Sequence, residues 1–310
     1  MEQLTNCISC QSPHFTSTEK TKAMMHPSQE VFNFDQCHNC GLVFLNPRVP
    51  EKNLEEYYTD YYLPYRGDEA WGKYAKFVAG SQNTVDKKRV AIVKKYGSDL
   101  SKATVLDVGC GKPTFLKMIF DQYKCQAVGT DFSDFGWKNA RSEYQDLELI
   151  EGDIHKLENL PKADIITMWH YLEHDYNPPK TLRRLLSLAK PDTKLIVEVP
   201  NFNSSTRKKY GSNWAGFHTP RHTALYTPET MTKMMHQHGW KVEAAFSYGS
   251  LNPYILDWMS RKEQEEIDWS QSMESEFVDF VKGMIGFLPK SFFQKKNSLG
   301  FMMVVASPKL

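Results

Sequence analysis

Between residues 99 and 200, short apolar runs alternate with longer segments whose apolar residues recur at helical spacing. The runs 104–108, 126–130, 147–151, 164–168 and 194–199 predict buried strands, and 114–123, 134–144 and 178–189 predict the helices between them. Such alternation predicts parallel βαβ units, because each crossover needs a helix to return the chain to the same edge of the sheet. A helix at 228–238, a strand at 240–247 and a terminal apolar strand at 300–306 extend the pattern. The fold class expected is α/β: a Rossmann-like, seven-stranded, mostly parallel sheet with flanking helices.

Outside that core the pattern changes. Residues 1–47 carry little aliphatic content and cannot build a core unaided. Residues 51–63 predict a tyrosine-rich helix or helical turn with Tyr57, Tyr58, Tyr61 and Tyr62, and 70–96 a longer amphipathic helix. The expected organisation is a small module at 1–47, a helical lid or linker at 48–98, and an α/β domain at 99–310. That domain includes a long polar and aromatic loop at 200–227 and a partly helical insertion at 250–293. Within the insertion Phe277-Val278, Phe280-Val281, Met284-Ile285 and Phe287-Leu288 form an apolar series ending at Pro289, with Lys282 and Lys290 beside it. The series predicts a helix packed on the sheet; the sharper alternative is a surface for a lipid-linked or otherwise apolar acceptor.

Composition narrows the partners. The 38 basic and 37 acidic residues give a net charge of +1, which offers no global attraction for nucleic acid or anionic membrane. The first residues lack the basic and apolar run of a secretory signal, and no stretch is long enough to span a bilayer; a cytoplasmic location is the expectation.

Four of the six cysteines fall in the N-terminal module, as Cys7-Ile-Ser-Cys10 and Cys37-His-Asn-Cys40. Two C-x2-C turns can bring four thiolates to one ion and complete a tetrahedron, so a structural Zn2+ is expected. Gly41 suits the positive-φ position such turns use. His14, His26 and His38 stand as possible replacements for one ligand.

The chemistry-bearing run of the α/β region is Val105-Leu-Asp-Val-Gly-Cys-Gly-Lys-Pro-Thr-Phe-Leu116. A strand enters Asp107, then Gly109 and Gly111 let the backbone pass close beneath a ligand, and a helix follows. Asp107 is placed to organise the loop and a ligand's ammonium. The next strand ends at Asp131, where an acid can hold two ribose hydroxyls. The third is followed by Glu151-Gly-Asp153-Ile154, which borders the same crevice.

These motifs resemble the class I S-adenosylmethionine-dependent methyltransferases over roughly residues 100–248. The resemblance implies that Asp107, Gly109 and Gly111 bind the methionine end, that Asp131 holds the ribose with Phe132 near the adenine, that Asp153 and Ile154 flank the adenine, and that Trp169 borders the cofactor. Pro113 stands where the family usually has a third glycine; proline is acceptable at a first helical turn. The run from Cys37 to Arg48, with the tyrosine pairs after it, is similar to a bacterial subgroup with a zinc-binding head, which includes sugar C-methyltransferases and polysaccharide or natural-product enzymes. The chain is shorter than the sugar C-methyltransferases.

Two clusters are candidates for the reacting centre. His170, Glu173 and His174 follow the fourth strand at i, i+3, i+4 spacing; on a helical turn they share one face and serve as a general base or as part of a divalent-metal site. His218, Arg221 and His222 lie in Trp214-Ala-Gly-Phe-His-Thr-Pro-Arg-His222, a loop suited to be a substrate lid. The expected chemistry is methyl transfer to an oxygen or carbon of a small molecule or a glycan, lipid-linked or natural-product precursor, with a histidine general base and His174 the first choice. Trp169-His170 occupies the place where amino-methylating members often carry Asn/Asp-Pro-Pro-Tyr/Phe, which favours oxygen or carbon over nitrogen. The competing readings are an RNA methyltransferase and a non-catalytic binding protein on the same fold.

Overall fold

The central apolar runs of the α/β region form strands buried on both faces, as a parallel sheet covered by helices requires, while the edge run at 148–151 stays partly exposed. The computed structural model describes residues 1–293 and 298–309. Strands β1 (Phe15–Lys22), β2 (Val31–Cys37) and β3 (Val43–Leu45) lie in the N-terminal segment; β4 (Thr104–Val108), β5 (Gln126–Asp131), β6 (Glu148–Glu151), β7 (Ala163–Trp169) and β8 (Ala189–Pro200) follow in the α/β region. The last three are β9 (Ala224–Leu225), β10 (Trp240–Phe246) and β11 (Phe301–Pro308). The main sheet has seven strands in the order β10-β11-β8-β7-β4-β5-β6. β6, β5, β4, β7 and β8 are mutually parallel, while β11 runs antiparallel to both β8 and β10. The Rossmann-like expectation is met. The strand order reverses at β4, which opens a crevice at the carboxyl ends of β4 and β5, where open α/β sheets bind ligands.

The helices are α1 (Leu63–Arg66), α2 (Ala75–Tyr96), α3 (Thr114–Tyr123), α4 (Pro178–Leu188), α5 (Ser205–Tyr210), α6 (Pro228–Gln237), α7 (Tyr254–Gln264) and α8 (Phe277–Ser291). Several start where the sequence supplies a cap. Asn177 accepts from the Lys180 N–H at the head of α4, and Thr227 and Thr230 form a reciprocal capping box on α6. The helix expected over 134–144 is instead two 3-10 turns, Asp134–Gly136 and Lys138–Ala140. Trp137, at φ −137° and ψ −12°, breaks the helical path between them. Gly136 lies so close to the Gly111 carbonyl that a Cβ there would approach it to 2.2 Å. The tyrosine-rich segment is likewise a 3-10 helix, Glu51–Tyr57, followed by the short α1.

The N-terminal strands form a second, antiparallel sheet in the order β1-β2-β3-β9. Its last strand comes from the 200–227 loop, with Val43 opposite Leu225 and Phe44 opposite Ala224. One continuous apolar cluster joins Cys7, Ile8, Cys37 and Leu42 to Leu106, Met168, Leu182 and Tyr226. This burial supplies the core that the segment cannot make by itself. Among the described residues no helix is long and apolar enough to cross a membrane.

Candidate active site

The glycine turn after β4 is shaped by its backbone. Gly109 and Gly111 have φ of +73° and +49°, and the N–H groups of Gly109 and Cys110 donate to the Thr130 carbonyl at 2.8 and 3.0 Å. A Cβ at Gly109 would lie 2.3 Å from the Tyr171 ring, whereas at Gly111 nothing stands within 4 Å. The turn is therefore roofed by Tyr171 on one side and open on the other. Asp131 ties it down: its carboxylate accepts from the Gly111 N–H at 2.9 Å and the Ser133 N–H at 3.2 Å. Burial raises the Asp131 carboxyl above its ordinary range, against those backbone donors. Asp107 lies deeper, accepts from the Thr167 hydroxyl at 2.6 Å, and is pushed up by burial to about 7.

The other predicted cofactor residues divide. Phe132 is exposed. Asp153 is half-buried and accepts from the His155 N–H at 2.9 Å. Ile154 is buried in the core cluster with Leu182 and Leu185. Trp169 is buried, edge-on to Phe115, and its ring carries the Arg89 guanidinium at 4.9 Å. Arg89, from α2, also donates to the Ser250 hydroxyl at 3.2 Å. A basic residue in an amphipathic helix gives no sequence signal that it will reach this crevice.

The segment after β7 is a turn, not a helix, so His170, Glu173 and His174 do not share one helical face. His170 adopts φ +57°. Its Nε2 lies 3.0 Å from Glu198 and its Nδ1 3.3 Å from Glu173. Burial alone would push its pKa down, but the two carboxylates raise it to about 9. Glu198 is fully buried, yet the His170 contact and the N–H of Ser250 at 2.7 Å hold its carboxyl down at about 2. His170 is thus an imidazolium between two acids, with no lone pair to offer. Glu198 gave no signal in the sequence, because a glutamate inside an apolar strand is only shown to be paired once the sheet is assembled. Oε2 of Glu173 has no hydrogen-bond partner among the described residues.

His174 turns the other way. Its ring meets His222 edge to face at 4.5 Å, and His222 lies 4.7 Å from His218. The two clusters predicted separately therefore form one. Burial lowers the pKa of all three rings, most strongly for His218 and His222, so all three are neutral imidazoles near neutral pH. His222 Nδ1 lies 2.8 Å from the Gly216 carbonyl and must carry the proton, which leaves the lone pair on Nε2. Gly216 is required there: the Trp214 ring lies against it, 2.2 Å from where a Cβ would be. The phenol groups of Tyr58 and Tyr62 reach Nδ1 of His174 and His218, each at 3.3 Å. Arg221 is fully buried beneath Tyr62, its centre 3.9 Å from that ring, and donates to the carbonyls of Tyr57 and Met24 at 2.6 and 2.5 Å. It braces the tyrosine segment, and its terminal donors are already engaged.

At the far end of the N-terminal sheet Cys7, Cys10, Cys37 and Cys40 converge, with every sulfur within 4.8 Å of the others. The Cys7–Cys40 and Cys10–Cys37 pairs are 3.6 and 3.5 Å apart. No histidine joins the group; His38 instead meets the Thr16 hydroxyl at 3.1 Å.

The comparisons agree with this architecture. A family profile described as a methyltransferase domain matches residues 82–245, just over half of the 310. The chain belongs to that family: it is an enzyme of the Rossmann-like, S-adenosylmethionine-dependent methyltransferase class. Among solved structures it is similar to the methyltransferase in a complex with the Haloferax volcanii Trm112 methyltransferase activator. The TM-score is 0.52 at 16% identity, covering 78% of this chain and 97% of that one. It is also similar to the [4+2]-cyclase SpnF, with TM-score 0.50 and 14% identity over 72% of this chain and 81% of the other. At these identities the likeness establishes the fold alone, and the cyclase shows that the fold does not by itself fix the reaction. No curated protein matches the chain at a significant level.

Proposed function

We propose that the chain methylates an oxygen or an acidic carbon of a small-molecule acceptor, and that the His174–His218–His222 cluster takes the acceptor's proton. The observation that carries this reading is the convergence of three neutral imidazoles, two buried and His174 half-buried, from two separate segments beside the carboxyl end of β7. The residues present suit the cofactor: Gly111 leaves an open cradle, and Asp131 sits at its rim. S-adenosylmethionine, when bound, supplies an activated sulfonium methyl. Asp131 would hold the ribose, and Gly109 and Gly111 would pass beneath the methionine end, with Phe132 and Asp153 toward the adenine.

The chain must then align the acceptor and remove its proton. His222 is the favoured base, since the Gly216 carbonyl fixes its tautomer and leaves Nε2 free, whereas His174 shares Nδ1 with Tyr58. Glu173, His174 and His222 also offer three ligand atoms within 4.8 Å of one another. The His170 imidazolium and the buried Arg221 guanidinium already bias that space against a further cation, so the trio is read as proton-handling. The four cysteines fit a structural zinc. Zn–S bonds of about 2.3 Å place tetrahedral sulfurs about 3.8 Å apart, close to the spacing seen. Such a site closes the N-terminal module, in keeping with the subgroup that carries a zinc-binding head.

The test is transfer of labelled methyl from S-adenosylmethionine to a panel of hydroxyl and activated-carbon acceptors, repeated with His174→Ala, His218→Ala and His222→Ala. Loss of the base should lower kcat by roughly 10²–10⁴-fold with cofactor affinity retained. Near-native turnover in all three variants overturns the histidine-base reading.

A further inference from the structure

Two glutamates flank the His170 imidazolium, and they are held differently. Glu198 accepts from His170 at 3.0 Å, from the Ser250 N–H at 2.7 Å and hydroxyl at 3.1 Å, and from the Leu251 N–H at 3.4 Å. That is the saturated pattern of a buried structural carboxylate. Asp175, two residues past Glu173, is likewise occupied by the Asn177 N–H and the Thr181 hydroxyl. Glu173 is only 1% exposed, yet neither of its oxygens accepts a hydrogen bond among the described residues; Oε1 merely faces Nδ1 of His170 at 3.3 Å. Its backbone is pinned, because the Glu173 carbonyl accepts from the N–H groups of Thr223 and Ala224 at 2.7 and 3.2 Å. A buried carboxylate without donors is unfavourable, and a donor arriving with the acceptor would offset that.

The surroundings indicate the class of donor. An oxygen of Glu173 and one ring nitrogen each of His174 and His222 lie within 4.8 Å of one another. Hydrogen bonds of about 2.8 Å to two acceptors that close together are made by hydroxyls on adjacent carbon atoms. One hydroxyl then faces the carboxylate and its neighbour faces the imidazole. An ammonium in the first place would meet the His170 imidazolium on one side and the cofactor's sulfonium on the other, so a neutral hydroxyl fits better.

We propose that Glu173 anchors the acceptor, and that the acceptor is a vicinal diol, one hydroxyl donating to Glu173 while its neighbour is methylated. This rests on the histidine-base reading of the same site. The reacting oxygen bonds to the methyl carbon as the sulfur–carbon bond breaks and sulfur keeps that electron pair; the hydroxyl proton goes to Nε2 of His222. The anchoring hydroxyl keeps its own proton, so Glu173 sets position and specificity and takes no part in the proton transfer.

The experiment measures transfer of labelled methyl from S-adenosylmethionine to matched pairs of acceptors: catechol against phenol, and a vicinal cyclohexanediol against cyclohexanol. The native chain should favour the diols about tenfold or more in kcat/KM, because a mono-ol leaves the buried carboxylate unpaired. Glu173→Gln should bring that ratio close to one. A merely structural role would lower both members of a pair by the same factor and leave the ratio intact, which overturns the anchor. If thermal unfolding shows that Glu173→Gln does not fold, the diol preference of the native chain still decides. His222→Ala separates this inference from the reading it rests on, and should lower turnover of both members alike. Near-native turnover in His222→Ala, with a diol preference that Glu173→Gln abolishes, removes the base and keeps the anchor. Equal rates for diols and mono-ols, or no transfer to any diol, overturn the anchor. So does turnover that a chelator abolishes and Mg2+ restores, which would assign the carboxylate to a metal.

Discussion

Replacing His170 by alanine removes the cation that Glu173 and Glu198 share inside the protein. The rise of His170 from 6.5 to about 9 corresponds to roughly 3 kcal/mol of preferential stabilisation of the imidazolium. The fall of Glu198 from 4.5 to about 2 has the same size, but it reports the same contact from the other side and is not added. Breaking one partner out of a buried ion pair costs about 3–5 kcal/mol, which agrees. A folded-state pKa above the unfolded one stabilises fully below the unfolded value and loses that contribution as pH rises through the folded value. The His170 contribution is therefore complete below about pH 6.5 and gone above about pH 9. Glu198 has the opposite sense: its contribution is present above about 4.5 and lost as pH falls through about 2. Urea unfolding of the native chain and His170→Ala should thus differ by about 3 kcal/mol near pH 6, with the difference shrinking between about pH 6.5 and 9 and levelling above that. Any cavity left by the alanine is pH-independent, so the slope isolates the charge. A difference below about 1 kcal/mol near pH 6, or one that does not change up to pH 10, would refute the imidazolium clamp.

Asp131→Ala should weaken S-adenosylmethionine binding by about tenfold or more, as loss of a charged acceptor does; titration calorimetry measures this, and unchanged affinity would contradict the ribose assignment. Freshly purified protein should carry about one zinc per chain by elemental analysis. Cys37→Ser should release it and lower the unfolding midpoint; metal-free protein with intact cysteines would remove the zinc.

The main sheet was legible because its central strands are buried. A parallel strand covered on both faces must be a continuous apolar run, and β4, β5 and β7 read that way with their ends nearly in place. The glycine turn and Asp131 were legible for a local reason: a strand-turn-helix fixes its own geometry within a few residues. The four cysteines were equally local, two tight turns each presenting a thiolate pair.

What the sequence left open depends on contacts between distant segments. The i, i+3, i+4 spacing of His170, Glu173 and His174 suggested one helical face, but helicity there is overridden by Glu198, 28 residues further on, which takes His170 at positive φ. His174 and His222 lie on separate segments and meet only because β9 carries the loop across to the N-terminal sheet and pairs with β3. The same pairing merges the N-terminal segment with the core of the α/β region, although its composition had marked it as a unit apart. Periodicity reports which side of an element is buried; it cannot report which other element covers it. For that reason the sequence by itself determined the sheet, the glycine turn and the cysteine cluster. Only the tertiary structure decided which histidines share a pocket, that another is spent as a cation between two buried acids, and that α8 keeps an apolar face turned outward.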